Sequence, residues 1–252
     1  MSEVKTMDNQ TISQKLQEIL HLQSPPVAVK IIKKEDQLPN IKLPTQNSRY
    51  CQLLMLARQG QTLMLTPEKI ACPAAKAALG LGPLAEKISS GEMLHMIGLF
   101  ENKEAAAKTM KLIPRIKEGS TKAIVAGPLS NFSGEPDLVI IESTPENIMW
   151  LGLAINFKEG GRLDFNSSIF QAECVDVTTV PYLTGKANMT PGCYGCRQAT
   201  DIPPEHMLIG IPTKLLPQVV KSLEALSQKA MPTVNEKGVY LLYKKELEKI
   251  TN

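Results

Sequence analysis

The chain is predicted to be an α/β or α+β protein of two similar α/β units around a mixed sheet. Two observations carry this. Short apolar runs of strand character alternate with helical stripes, and the order of those elements occurs twice. The repetition has the form of an internal duplication, with units over residues 1–133 and 134–252 packed as one compact domain. At 252 residues the chain can bury one large core or two smaller ones.

The elements follow in order. Ile12, Leu16, Ile19 and Leu20 recur at helical spacing, so Thr11 to Leu22 is an expected helix. Ser24-Pro25-Pro26 breaks it, and Val27 to Ile32 reads as a buried strand. A loop with Pro39 and Pro44 leads to a helix over Tyr50 to Ala57, ended by Gly60. Leu63 to Leu65 is a short strand. Pro67 to Leu79 is expected to be helical, entered near Thr66-Pro67 or restarted at Pro73, with Gly80 at its C-cap. Ala105 to Met110 is helical, and Ala123 to Leu129 is a strand running into a turn.

The second unit repeats the pattern. Asp137 to Glu142 echoes the first strand, and each follows a proline. The helix Asn147 to Phe157 ends at Gly160-Gly161, and Arg162 to Phe165 answers Thr62 to Leu65. Cys174 stands near where Cys72 stood. Met207 to Pro212 matches Ile124 to Pro128, before a closing helix Leu215 to Leu226.

Composition excludes several classes. With 28 basic and 25 acidic residues the net charge is +3, too even for a nucleic-acid binder, and no basic-aromatic interleaving adds to it. Met1 to Gln10 lacks the apolar core of a signal peptide, and no run approaches the roughly 20 residues of a membrane span. A cytoplasmic protein is expected, of open oligomeric state.

In that compartment five cysteines are poor material for a disulfide framework, which turns attention to metal or redox use. Cys193 and Cys196 form a Cys-x-x-Cys pair between Gly192 and Arg197, where glycines let the backbone fold tightly around both sulfurs. Cys72 precedes Pro73, and cysteine followed by proline recurs where a cluster ligand ends a loop. Cys51 and Cys174 can join only through the fold. The expected function is an iron–sulfur protein with a redox or electron-transfer role. Its cluster, of the 4Fe–4S type, would be held by Cys193 and Cys196 with Cys72 and either Cys51 or Cys174, and would serve a redox partner protein. Zinc is the lesser metal, since no histidine lies within a few residues of the pair.

Two other functions stay open: a metal-free thiol–disulfide protein cycling Cys193 and Cys196, and a module for a small anionic ligand between the units. For the latter, Arg162 offers a planar fork, Ser167 or Ser168 can cap a helix starting near Ile169, and Gln171 faces the same site. His95 reads as a core histidine, and Met93, Met96, Met149 and Met207 as core packing. No catalytic residue is assigned.

Several segments together resemble a known family. They include Pro25 to Lys30, Arg49 to Gln52, Ala71 to Lys76, Ser90 to Leu94, Gly160 to Phe165, Gln171 to Cys174, Pro181 to Gly185 and Gly192 to Arg197. They are similar to a prokaryotic family known as domain of unknown function 169, widespread in archaea and anaerobic bacteria. The resemblance spans about residues 12 to 230. It implies a single-chain cytoplasmic protein whose cysteines act as a set, and it brings no activity.

Overall fold

The computed structural model describes residues 7–168, 170–231 and 238–251. Its centre is one six-stranded sheet of β1 (Val27–Lys33), β2 (Leu63–Leu65), β3 (Thr121–Pro128), β4 (Leu138–Ser143), β5 (Asn188–Thr190) and β6 (Met207–Pro212). The strands lie in the order β2-β3-β1-β4-β6-β5. Every strand pairing is antiparallel, which corrects the expected mixed sheet. The chain returns to neighbouring strands without the parallel crossovers that a mixed sheet needs. Outward from the central β1–β4 pair, each half runs through a long partner, β3 or β6, to a three-residue edge strand.

Strand side chains alternate between faces, and the two faces build separate cores. Ala28, Val125, Val139 and Ile209 belong to the first. It is covered by α1 (Asn9–Leu20), α7 (Pro145–Asn156) and α10 (Leu216–Lys229), through residues such as Leu16, Leu151 and Val220. Asp8 caps α1 by accepting the Thr11 amide at 2.7 Å, and Thr144 caps α7 just before Pro145. The helix expected over Asn147 to Phe157 therefore starts two residues earlier.

Val29, Ile124, Leu138 and Leu208 face the second core. Here α2 (Tyr50–Arg58), α3 (Pro73–Ala78), the π-helical segment Ala172–Thr179 and α9 (Tyr194–Ala199) pack on the sheet. Of the two starts expected for the third helix, the restart at Pro73 is the one observed. A smaller cluster joins α3 to α4 (Glu86–Ser89), α5 (Glu92–Met96) and α6 (Lys103–Leu112) through Ala78, Ile88, Leu94 and Met110. The chain continues from the π-helical segment into α8 (Val180–Thr184), and α11 (Gly238–Thr251) follows the last core helix.

Arg162 to Phe165, expected as a strand, is irregular, and β5 takes the edge position instead. Asn188 of β5 ties that loop down: it accepts the Asn166 amide at 2.9 Å and donates to the Asn166 carbonyl at 2.8 Å. His95 lies on the surface and bonds the Phe100 carbonyl; Met96 and Met149 are also exposed, against the core expected for all three. These helices present only a narrow stripe inward. Among the described residues, no helix is long and apolar enough to cross a membrane.

Candidate functional site

The Cys-x-x-Cys pair opens α9. Gly192, at φ +94°, turns the chain in a conformation other residues adopt only with strain, and Cys193 then stands at the helix N-cap. The two cysteines bond each other's backbone. The Cys193 amide donates to Cys196 Sγ at 3.0 Å, the Cys196 amide to Cys193 Sγ at 3.4 Å, and the Cys196 thiol to the Cys193 carbonyl at 3.2 Å. Arg197 locks the loop from outside, donating to the carbonyls of Pro191, Pro203 and His206.

This cradle separates the two sulfurs chemically. The Cys196 thiol, together with the amides of Ala172, Cys196 and Gly195, lowers the Cys193 thiol to about 6 against the cost of its burial. Its bond to Cys193, and then burial, push the Cys196 thiol up. One sulfur is a thiolate at neutral pH and the other keeps its proton.

The Ala172 amide comes from the π-helical segment, whose wide turn is supported by side chains. Thr178 and Thr179 donate hydroxyl bonds to the carbonyls of Glu173 and Cys174, each five residues back, at 2.6 and 2.8 Å. With its own hydrogen committed, Thr178 Oγ1 accepts the buried Tyr50 hydroxyl at 2.8 Å. Gly210 on β6 lets this segment lie on the sheet, because a Cβ there would meet the Val177 carbonyl oxygen at 2.0 Å.

A cavity of about 430 Å³ opens beside the pair. Its apolar wall includes Ala71, Met93, Leu94, Ile97 and Phe170, and exposed Arg49, Tyr194 and Gln198 stand at its rim. Two polar groups line its interior. Gln171, 3% exposed, donates Nε2 to the Ala74 carbonyl at 3.0 Å, and its Oε1 has no hydrogen-bond partner in the protein. Glu173, 2% exposed, likewise has an unpartnered Oε2. Burial raises its carboxyl well above the ordinary range, although Arg58 nearby opposes this. Arg58 itself is held by Glu142 and Asp201, and His206 Nδ1 meets Glu142 at 3.0 Å.

All five expected cysteines line this cavity, so the fold does bring them to one place. It does not make them a ligand set. Among the described residues, no group of three or more His, Cys, Asp or Glu side chains is arranged to hold a metal ion. This overturns the expected iron–sulfur protein. The physical reason lies in where the sulfurs are engaged. Cys193 and Cys196 bond each other's backbone, while burial pushes the Cys51 and Cys174 thiols up, away from the thiolate that a metal requires.

The residues expected for an anion site separate. Gln171 faces the cysteine cavity, and Arg162 is exposed outside its lining. Ser167 donates to Asp176 Oδ2 at 2.7 Å and meets Thr190 Oγ1 at 3.1 Å; Ser168 Oγ is buried without a partner. The helix start expected near Ile169 falls on a residue outside the described ones. Sequence reasoning missed Glu173, Tyr50 and Thr178. Glu173 had left one signal, a carboxylate among the small and apolar residues Ala172, Val175 and Val177 beside a cysteine.

The chain is 30% identical over 220 residues to an uncharacterised protein of Methanocaldococcus jannaschii, covering 86% of this chain and 94% of that one. No solved structure matches it significantly. Residues 15–222, which hold the sheet, the cavity and all five cysteines, match a family model described as uncharacterised ArCR. The chain belongs to that family, domain of unknown function 169.

Proposed function

We propose that this protein carries out thiol–disulfide exchange, with Cys193 attacking and Cys196 closing the intramolecular disulfide. The observation that carries the reading is the place of Cys193 at the N-cap of α9, where its sulfur takes the Cys196 amide at 3.4 Å at the wall of a cavity. A thiolate near pH 6 is both populated and nucleophilic at neutral pH.

In the first step the Cys193 thiolate attacks one sulfur of a disulfide. A mixed disulfide forms and the other substrate sulfur leaves as a thiolate. The Cys196 sulfur then attacks Cys193 Sγ, and the second substrate sulfur leaves with the Cys196 proton as a thiol. The substrate disulfide is reduced by two electrons and the Cys193–Cys196 dithiol is oxidised. Burial favours the neutral form of Glu173, which weakens the repulsion it would exert on the thiolate.

Titration in thiol–disulfide buffers, followed by mass spectrometry of the peptide holding both cysteines, tests this. A two-electron transition confined to Cys193 and Cys196 is expected, lost in Cys193→Ser. A pair that stays reduced under oxidising buffer contradicts the reading.

Further expectations belong to the same proposal. Five cysteines without a disulfide suit a reducing, cytoplasmic setting, and a dithiol partner protein would return the oxidised pair to thiols. An internal duplication is supported by the matching strand order on either side of β1 and β4.

A further inference from the structure

We infer that the disulfide reduced at this site is a small, neutral molecule with an apolar body, bound inside the cavity rather than presented on a protein surface. The inference rests on the reading of Cys193 and Cys196 as an exchanging pair and adds the substrate class. Access supports it first. Cys193 and Cys196 are 7% and 2% exposed, so a disulfide on a folded protein meets the rim before it meets sulfur. A cavity of about 430 Å³ beside them is in the size range of small-molecule sites.

The lining supports the rest. Ala71, Met93, Leu94, Ile97 and Phe170 offer an apolar wall that favours a desolvated body. Gln171 and Glu173 also line the cavity, and Gln171 Oε1 and Glu173 Oε2 have no hydrogen-bond partner in the protein, both on side chains more than nine-tenths buried. Leaving buried polar atoms unmatched is costly, so a ligand able to bond them gains affinity. Gln171 Oε1 accepts a hydrogen bond. Glu173, protonated, can donate one. A neutral amide or hydroxyl on the ligand satisfies both, whereas an anionic group would face a carboxyl and a thiolate. Arg49, the cation of the lining, is exposed at the rim, and Arg58, near Glu173, is already paired with Glu142 and Asp201.

The test is the rate of Cys193 oxidation by two aromatic disulfides, neutral dithiodipyridine and dianionic dithiobis(nitrobenzoate). Each rate is divided by that of free mercaptoethanol to remove intrinsic reactivity. Saturation with dithiodipyridine and a normalised preference of about tenfold or more for it are expected. Ala71→Trp, which fills part of the apolar wall, should reduce that preference after each rate is divided by the variant's own rate of Cys193 alkylation by iodoacetamide. A linear concentration dependence without preference overturns the inference, as does faster oxidation by the disulfides of insulin. If Cys193 is not a reactive thiolate towards iodoacetamide near neutrality, the exchange reading fails too; if it is reactive but unsaturable, only the substrate class fails.

Discussion

On one face of the sheet, α1, α7 and α10 lay apolar stripes against Ala28, Val125, Val139 and Ile209. On the other face, α2, the π-helical segment and α9 bring polar groups with them: Gln171, Glu173, Asp176 and Thr178 are all buried there. The first face follows ordinary helix patterning, and its buried polar residues include the small hydroxyls Ser13 and Ser222. The second departs from it, with a π-helical turn, an unpartnered amide oxygen, an unpartnered carboxyl oxygen and a cavity. Departures of this kind oppose stability; Trp150 Nε1 is also buried without a partner on the first face, but the π-helical turn and the cavity lie where the sulfurs are. The molecule separates a packing face of the sheet from the face that holds the cysteine cavity.

The sharpest way to break that division is at the contact between the sheet and the π-helical segment. Gly210→Ala would drive a methyl group into the Val177 carbonyl, and a loss of about 3 kcal/mol or more in urea unfolding is expected. The second face should suffer most, seen as slowed or lost alkylation of Cys193. On the first face, Leu16→Ala empties a fully buried site and should cost about 3 kcal/mol. In native buffer its Cys193 reactivity should match the wild type, because Leu16 belongs to the first core and the cavity-lining residues do not.

A smaller effect has the opposite sign. Burial keeps Glu173 protonated above the pH at which an unfolded glutamate ionises. Its contribution to stability is therefore fully present below about pH 4.3 and declines as pH rises towards the folded value. Glu173→Gln removes that decline. Relative to the wild type it should gain stability from about pH 4 to about pH 7, by unfolding measured at both. Least of all, Arg162→Ala, on the exposed loop, should stay within about 0.5 kcal/mol of the wild type and leave cysteine chemistry unchanged.

The same division explains what could be read from the chain. Strands β1, β4 and β6 and helices α1, α2 and α10 were legible because apolar periodicity reports burial against a sheet. Strand direction was not, since pairing is set by loops and long-range contacts that no local pattern records. Nor was β5, because a three-residue strand is too short to show a period; the arginine-led stretch at Arg162 imitated it instead. The cysteines were legible as a set but not as chemistry. Spacing says that two sulfurs can turn the same way, whereas their engagement with backbone amides depends on Ala172 and Gly195. Glu173 escaped because its one signal, a carboxylate among small and apolar residues, is shared with Asp176 in the same stretch and does not say which carboxyl lines a cavity.

The central claim is that Cys193 is a thiolate at neutral pH. Iodoacetamide labelling across pH, resolved by mass spectrometry at each cysteine of the native protein, tests it directly. The account predicts that Cys193 labels with a midpoint near about 6, while Cys51, Cys174 and Cys196 stay protected through about pH 8.5. A Cys193 midpoint near the value of a free cysteine, about 8.5, would contradict it.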